Sequence, residues 1–197
     1  MSNALVIFVK NPIPGKVKTR LAAEIGEDRA RDIYLWLLQH TRDVTSDLPV
    51  TKYVYYSDFI QEDDIWSADL YEKRLQTGEL LGERMHNAIT EVLQHQRQVV
   101  LIGSDSADLD TQIVSYAFEV LHYVDIVIGP AMDGGYYLIG CKAPQPKIFE
   151  GIAWSTSEVF TNTRNLLLKM HLDFKLLPQR SDIDSPEDIT RMGWSYK

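Results

Sequence analysis

Only one cysteine, Cys141, occurs in 197 residues, so no internal disulfide can form and no cysteine cage can hold a metal. It lies in an apolar segment, residues 136–141, and reads as a buried, inert thiol. Long apolar runs are missing as well. The run at residues 5–9 is too short for a signal-peptide core or a membrane span, and no basic segment precedes it, which predicts a cytoplasmic protein without membrane insertion. Positive charge is in deficit: 20 Lys and Arg stand against 28 Asp and Glu, for a net charge of -8, which argues against a general nucleic-acid binder. The five histidines, His40, His86, His95, His122 and His171, show no paired metal spacing. There is no Gly-x-Ser-x-Gly elbow, no Gly-x-Gly-x-x-Gly after the first apolar run and no Walker phosphate loop. Those absences disfavour hydrolase, dinucleotide-oxidoreductase and P-loop readings. Internal repeats and low-complexity segments are also lacking.

What the chain does have is a cationic loop where its overall charge is negative. Residues 10–21 read Lys-Asn-Pro-Ile-Pro-Gly-Lys-Val-Lys-Thr-Arg-Leu, directly after the apolar run at 5–9. Lys10, Lys16, Lys18 and Arg20, carried on a turn punctuated by Pro and Gly, can converge on one polyanion, where each contact is charge-assisted. A phosphate is the expected guest; a solvated basic turn is the alternative.

Further apolar runs recur at residues 52–56, 99–102, 126–128, 136–139 and 174–177. Between them, Ala30, Ile33, Tyr34, Leu37 and Leu38 fall at helical spacing, as do Leu81, Met85, Ala88, Ile89 and Val92. Two more helices are expected over residues 111–122 and 155–171. Near-continuous Val, Ile and Leu strands alternating with amphipathic helices predict an α/β fold: one domain, residues 1–197, with a mostly parallel central sheet and helices on both faces. In such a sheet ligands bind beyond the carboxyl ends of the strands, and the chemistry-bearing residues do follow strands.

Asp105 stands at the mouth of the run at 99–102, where a carboxylate and water can hold a hard divalent cation, Mg2+ or Mn2+. Asp110 reads as the cap of the helix beginning at Thr111. Asp182 and Asp184 project to one side of an extended backbone, ahead of a helix start in which Ser185 caps, Pro186 takes the first helical position and Asp188 closes a capping box. A metal site built from Asp105, Asp182 and Asp184 is one reading of these acids, and an uninvolved solvated turn is the other. In Asp133-Gly134-Gly135-Tyr136 the paired glycines serve either close approach to a ligand or an ordinary turn. Trp154-Ser155-Thr156 opens a helix, where Ser155 caps or free amides hold an anion.

Taken in order, residues 8–12 and 15–21, 76–85, 101–105, 129–140, 154–156 and 182–184 resemble a bacterial family within the nucleotide-diphospho-sugar transferase superfamily, whose members have a GT-A, Rossmann-like fold. Some members of that family are named as arsenosugar-biosynthesis glycosyltransferases, and relatives in the superfamily are nucleotidylyltransferases. The resemblance implies a donor-binding half in which Lys10, Gly15, Lys16, Lys18 and Arg20 hold phosphates while Gln76, Gly78, Gly82 and Arg84 lie near the base. It implies that Asp105, Asp182 and Asp184 hold Mg2+ or Mn2+, and that Asp133, Gly134, Gly135 and Tyr136 lie towards the acceptor. Catalytic roles then fall to Asp105, Lys18, Arg20 and, as base, Asp133. Where the family usually has Pro this chain has Ala107, which predicts a looser turn after Asp105. The expected protein is a metal-dependent transferase joining a nucleotide or nucleotide-sugar donor to a small-molecule acceptor. Glycosyl transfer is the first reading, with nucleotidylyl transfer releasing pyrophosphate, or a non-catalytic nucleotide-binding module, as alternatives.

Overall fold

The computed structural model describes residues 2–191. In chain order the elements are β1 (Asn3–Val9), α1 (Thr19–Ile25), α2 (Glu27–Thr45), β2 (Thr51–Tyr56), β3 (Glu72–Leu75), α3 (Leu81–Leu93), β4 (Gln98–Ile102), α4 (Thr111–Val120), β5 (Ile126–Pro130), β6 (Tyr136–Cys141), α5 (Val159–Lys169), β7 (Phe174–Leu176) and α6 (Pro186–Arg191). The seven strands form one sheet in the order β3-β2-β1-β4-β6-β5-β7. All neighbours run parallel except β6, which is antiparallel to both β4 and β5.

Residues 4–9 of β1 are all buried, as a strand covered on both faces requires. Alternation then sorts its side chains. Leu5, Ile7 and Val9 join Val54, Tyr56, Val100 and Ile102 beneath α2 and α4, through Leu37, Leu38, Val114 and Phe118. Ala4, Val6 and Phe8 join Tyr53, Tyr55, Val99 and Leu101 beneath α3 and α5, through Met85, Ile89, Val92 and Leu167. Each such Leu or Ile removed from water contributes about 1.5–3 kcal/mol, and the two half-cores together fix the sheet between its helices.

Three features depart from the expected pattern. Strand β3 reads Glu-Lys-Arg-Leu and lacks an apolar run, because it is an edge strand whose side chains pair outward: Arg74 bonds Glu72 at 2.6 Å and Glu91 at 2.9 Å and lies 4.5 Å from the Tyr53 ring centre. The basic loop contains a helix of its own, α1. The helix expected from residue 155 begins only at Val159, since Ser155 is left-handed (φ 63°) and Thr156 turns back to donate to the Ala153 carbonyl at 2.8 Å.

This topology makes a crevice. Parallel β1, β2 and β4 end at Val9, Tyr56 and Ile102, and the reversal of β6 brings its first residues to the same rim, with Leu138 opposite Ile102.

Candidate active site

Side-chain hydrogen bonds tie the loop after β1 to its neighbours. Asn11, buried, accepts from the amides of Asp58 (3.2 Å) and Phe59 (3.3 Å) and donates to the Phe59 carbonyl (2.9 Å), tying this loop to the one after β2. Tyr34 of α2 ties it to the loop after β4: its hydroxyl accepts from the Lys10 amide at 2.8 Å and shares a 3.1 Å hydrogen bond with Ser104. Burial, with Asp105 nearby, drives that phenol far above its ordinary pKa, so it stays a neutral bridge.

Lys18 sits one residue before α1 with a left-handed backbone (φ 47°, ψ 45°). Its ammonium lies 2.6 Å from Asp105 Oδ1 and 3.0 Å from Asp184 Oδ1, on a side chain only 4% exposed. Burial works against that charge, but the two carboxylates outweigh it and its pKa rises. Asp182 makes no ion pair among the described residues, although the Lys18 charge still acts on it. Burial, and then the charge on Asp105, pushes its carboxyl up to about 7. The tail reaches this cluster because the Ile183 amide donates to the Asp105 carbonyl (3.1 Å), Ser106 pairs with Asp182 in a β-bridge, and Arg180 bonds Asp110 at 2.9 Å. These ties hold the turn that contains buried Ala107, so its register does not rest on a proline.

A cavity of about 670 Å³ opens over the cluster, lined by Lys10, Lys16, Lys18, Arg20, Asp105, Asp133, Gly135, Tyr136, Asp182 and Asp184, with Trp154 and residues 155–157 on the far wall. A second cavity of about 300 Å³ runs on from it, lined by Ser57, Gln76, Arg84, Leu101, Gly103 and Ser104. Asp105, Asp182, Lys10 and Tyr34 line both and mark the junction. Within the smaller cavity Gln76 is oriented by its backbone acceptors: Nε2 donates to the carbonyls of Tyr55 (2.9 Å) and Val9 (3.3 Å), leaving Oε1 as the atom it can offer. Arg84 Nε donates to the Gly78 carbonyl at 3.0 Å, which leaves its terminal nitrogens to serve the cavity.

Four glycines expected at the ligand line neither cavity: Gly15, Gly78, Gly82 and Gly134. Packing explains two of them. A Cβ on Gly82 would lie 2.5 Å from the Trp154 ring, so its absence lets α3 close on that loop. Gly134 has φ +91°, and a Cβ there would lie 2.1 Å from the Ser157 carbonyl oxygen. Gly15 and Gly78 take positive φ in their turns. Asp133 spends one oxygen on its own turn, accepting the Gly135 amide at 2.8 Å, and keeps the other for the cavity.

The three carboxylates read as a metal site do not form a ready-made cluster. Among the described residues no group of three His, Cys, Asp or Glu side chains is arranged to hold a metal ion. The reason is Lys18, whose ammonium takes the place between Asp105 and Asp184 that a shared cation would need. Asp105 and Asp182 still suit a hard cation. Both are oxygen donors that line the cavity, and burial and the charge on Asp105 raise the Asp182 carboxyl even with Lys18 nearby. Two carboxylates completed by ligand phosphate oxygens and water is the usual provision for Mg2+.

Sequence reasoning placed Tyr34 in a core stripe and so missed its bridging hydroxyl; a phenol on a stripe otherwise filled by Ala, Ile and Leu was the available signal. It also missed the pairing of Trp154 with Phe149, ring centres 6.4 Å apart, within the loop after β6. Cys141 is buried as expected, its thiol pushed up to about 12 by desolvation. No helix among the described residues is long and apolar enough to cross a membrane.

Comparisons follow the geometry. The family described as an uncharacterized protein conserved in bacteria, DUF2064, matches residues 40–156. A provisionally named nucleotide-diphospho-sugar transferase from Desulfovibrio desulfuricans G20 is 34% identical with a TM-score of 0.86, over 94% of this chain and 84% of that one. CMP:2-keto-3-deoxy-manno-octonic acid synthetase complexed with CTP shares the fold at 9% identity and TM-score 0.58, over 98% of this chain and 97% of that one. Rv0371C of Mycobacterium tuberculosis H37Rv, in complex with manganese, shares it at 12% identity and TM-score 0.53, over 98% of each chain. No curated protein matches in sequence.

Proposed function

The chain belongs to the bacterial family DUF2064 and has the nucleotide-diphospho-sugar transferase fold, and from that premise we propose that it is a divalent-metal-dependent transferase using a nucleotide-activated donor. One observation carries the reading: a cationic loop and the acids Asp105, Asp182 and Asp184 meet in one cavity, with Asp105 and Asp182 at its junction with a second, at the carboxyl end of a mostly parallel sheet. In this reading the nucleobase enters the smaller cavity, where Gln76 Oε1 and the Arg84 guanidinium meet its polar edge. The phosphates lie in the larger cavity against Lys10, Lys16 and Arg20, which have no ion-pair partner among the described residues. Asp105 and Asp182 hold Mg2+ or Mn2+ with the phosphates, and such an ion, when bound, neutralises charge on the phosphate oxygens. Asp133, with its free oxygen, takes the acceptor's proton. No protein nucleophile is needed, because positioning and charge stabilisation suffice.

Glycosyl transfer is the first reading, supported by the name of the Desulfovibrio relative. Nucleotidylyl transfer is the second. Lys10, Lys16 and Arg20, without an ion pair among the described residues, suit the greater negative charge of a triphosphate. Incubation with a panel of nucleotide sugars, and of nucleoside triphosphates with sugar phosphates, separates the two: a released nucleoside diphosphate supports the first and released pyrophosphate the second. Release of neither with any donor, with or without Mn2+, contradicts a transferase.

A further inference from the structure

We infer that Lys18 is a built-in competitor for the divalent cation, holding Asp105 until a phosphate draws its ammonium aside, so that the ion settles with or after the nucleotide and not before it. The inference rests on the reading that Asp105 and Asp182 hold the ion. Its starting point is geometric: Lys18 Nζ lies 2.6 Å from Asp105 Oδ1, on a side chain 4% exposed and aimed by a left-handed residue just ahead of α1. A non-glycine residue held in that region carries strain, which the surrounding contacts must offset. A small divalent ion binds a carboxylate oxygen at about 2.0–2.1 Å. An ammonium already on the same oxygen would then face the ion at close range, in a partly buried crevice where like charges repel far more than in water. Asp105 therefore serves one cation at a time unless an anion lies between them.

The fold also provides somewhere for the ammonium to go. Asp184, 3.0 Å from the same nitrogen, lets Lys18 release Asp105 and keep one carboxylate partner. Asp184 is itself fixed, since its amide donates to Asp188 Oδ2 at 3.1 Å in the cap of α6. The third ammonium proton is left for a phosphate oxygen, and Lys16 and Arg20 line the same wall. Phosphate binding thus favours the arrangement in which Asp105 is free. By linkage, a cation on Asp105 favours phosphate binding by the same factor.

The test is Mn2+ binding to the phosphate-free full chain, read from the electron paramagnetic resonance of the unbound aqua ion. Lys18→Met is expected to bind Mn2+ at least tenfold more tightly than the wild type, although a Lys18→Arg change, which keeps the charge, gives no gain. Lys16→Met removes the same charge from the same wall without touching Asp105 and should gain less than threefold. Should Lys18→Met fail to fold, Lys18→Gln, whose amide still bonds the carboxylates, takes its place with the same expectation. Equal affinity in wild type and Lys18→Met, or an equal gain in Lys16→Met, overturns the inference while leaving the metal site standing. Added inorganic pyrophosphate should raise protein-bound Mn2+ in the wild type above the amount that pyrophosphate alone complexes. No binding in any variant, with or without pyrophosphate, removes both the metal site and the inference.

Discussion

Removing the Tyr34 hydroxyl leaves the Lys10 amide and the Ser104 hydroxyl without a partner at the junction of the two cavities. Tyr34→Phe is therefore expected to cost about 1–3 kcal/mol of stability in denaturant unfolding and, on the proposed reading, to weaken nucleotide binding, because it loosens the seat of the loop after β1. An unchanged midpoint would show that water replaces the phenol. For the cations, Arg20→Ala and Lys16→Ala should each weaken binding of a nucleoside triphosphate by more than about 1 kcal/mol in calorimetric titration. Unchanged affinity in both returns the loop to ordinary surface. At this scale the sequence was most legible where charge density marked a segment, as at Lys16, Lys18 and Arg20, and at Asp105 beyond a strand. It was least legible where a partner lay far along the chain. Nothing in the local pattern of residues 182–184 says that Asp184 is engaged by Lys18 while Asp182 is left with its carboxyl pushed up to about 7.

Helix α3 packs on the Trp154 loop through Gly82, where an added methyl carbon would sit 2.5 Å from the indole. Gly82→Ala should cost about 1–3 kcal/mol despite its better helix propensity, since the ring must move. A thermal midpoint equal to or above that of the wild type would show that the loop yields freely. At α6, Asp188 accepts from the Ser185 amide (2.9 Å) and hydroxyl (2.8 Å), and these bonds outweigh burial to hold its pKa below the ordinary 3.8. A depressed carboxyl pKa stabilises the fold above the unfolded value and loses that contribution as pH falls through the folded one. Asp188→Asn should therefore lie about 1 kcal/mol below the wild type at pH 7, with the gap closing below pH 3.8. A gap that does not change between pH 7 and pH 3 would assign the loss to something other than the ionised cap. The caps at Asp110 and Ser185 were readable because capping is a short-range pattern, and Asp110 does accept the Ile113 amide at 2.8 Å. Strand β3 and the late start of α5 were not. The first is an edge strand that needs no apolar face, and the second depends on a left-handed Ser155 that no propensity favours.

For the molecule as a whole, alternation of buried runs with amphipathic helices was enough to read a mostly parallel sheet covered on both faces, because burial on two sides leaves a continuous apolar signature in β1 and β4. The reversal of β6 was hidden, since its run of Tyr, Leu and Ile would suit either direction. That reversal matters for function, as it delivers Tyr136 to the rim shared with Lys10 and Asp105. With a net charge of -8, the chain as a whole repels anions, whereas Lys10, Lys16, Lys18 and Arg20 gather positive charge at the crevice, so a phosphorylated ligand should bind there. Calorimetric titration of nucleoside di- and triphosphates into the wild type and Asp105→Asn, each with and without Mn2+, tests the site most directly. At least one nucleotide should bind the wild type several-fold more tightly with Mn2+, and Asp105→Asn should lose that enhancement. Nucleotide affinity that ignores both Mn2+ and the substitution would contradict a metal-assisted phosphate site at this crevice.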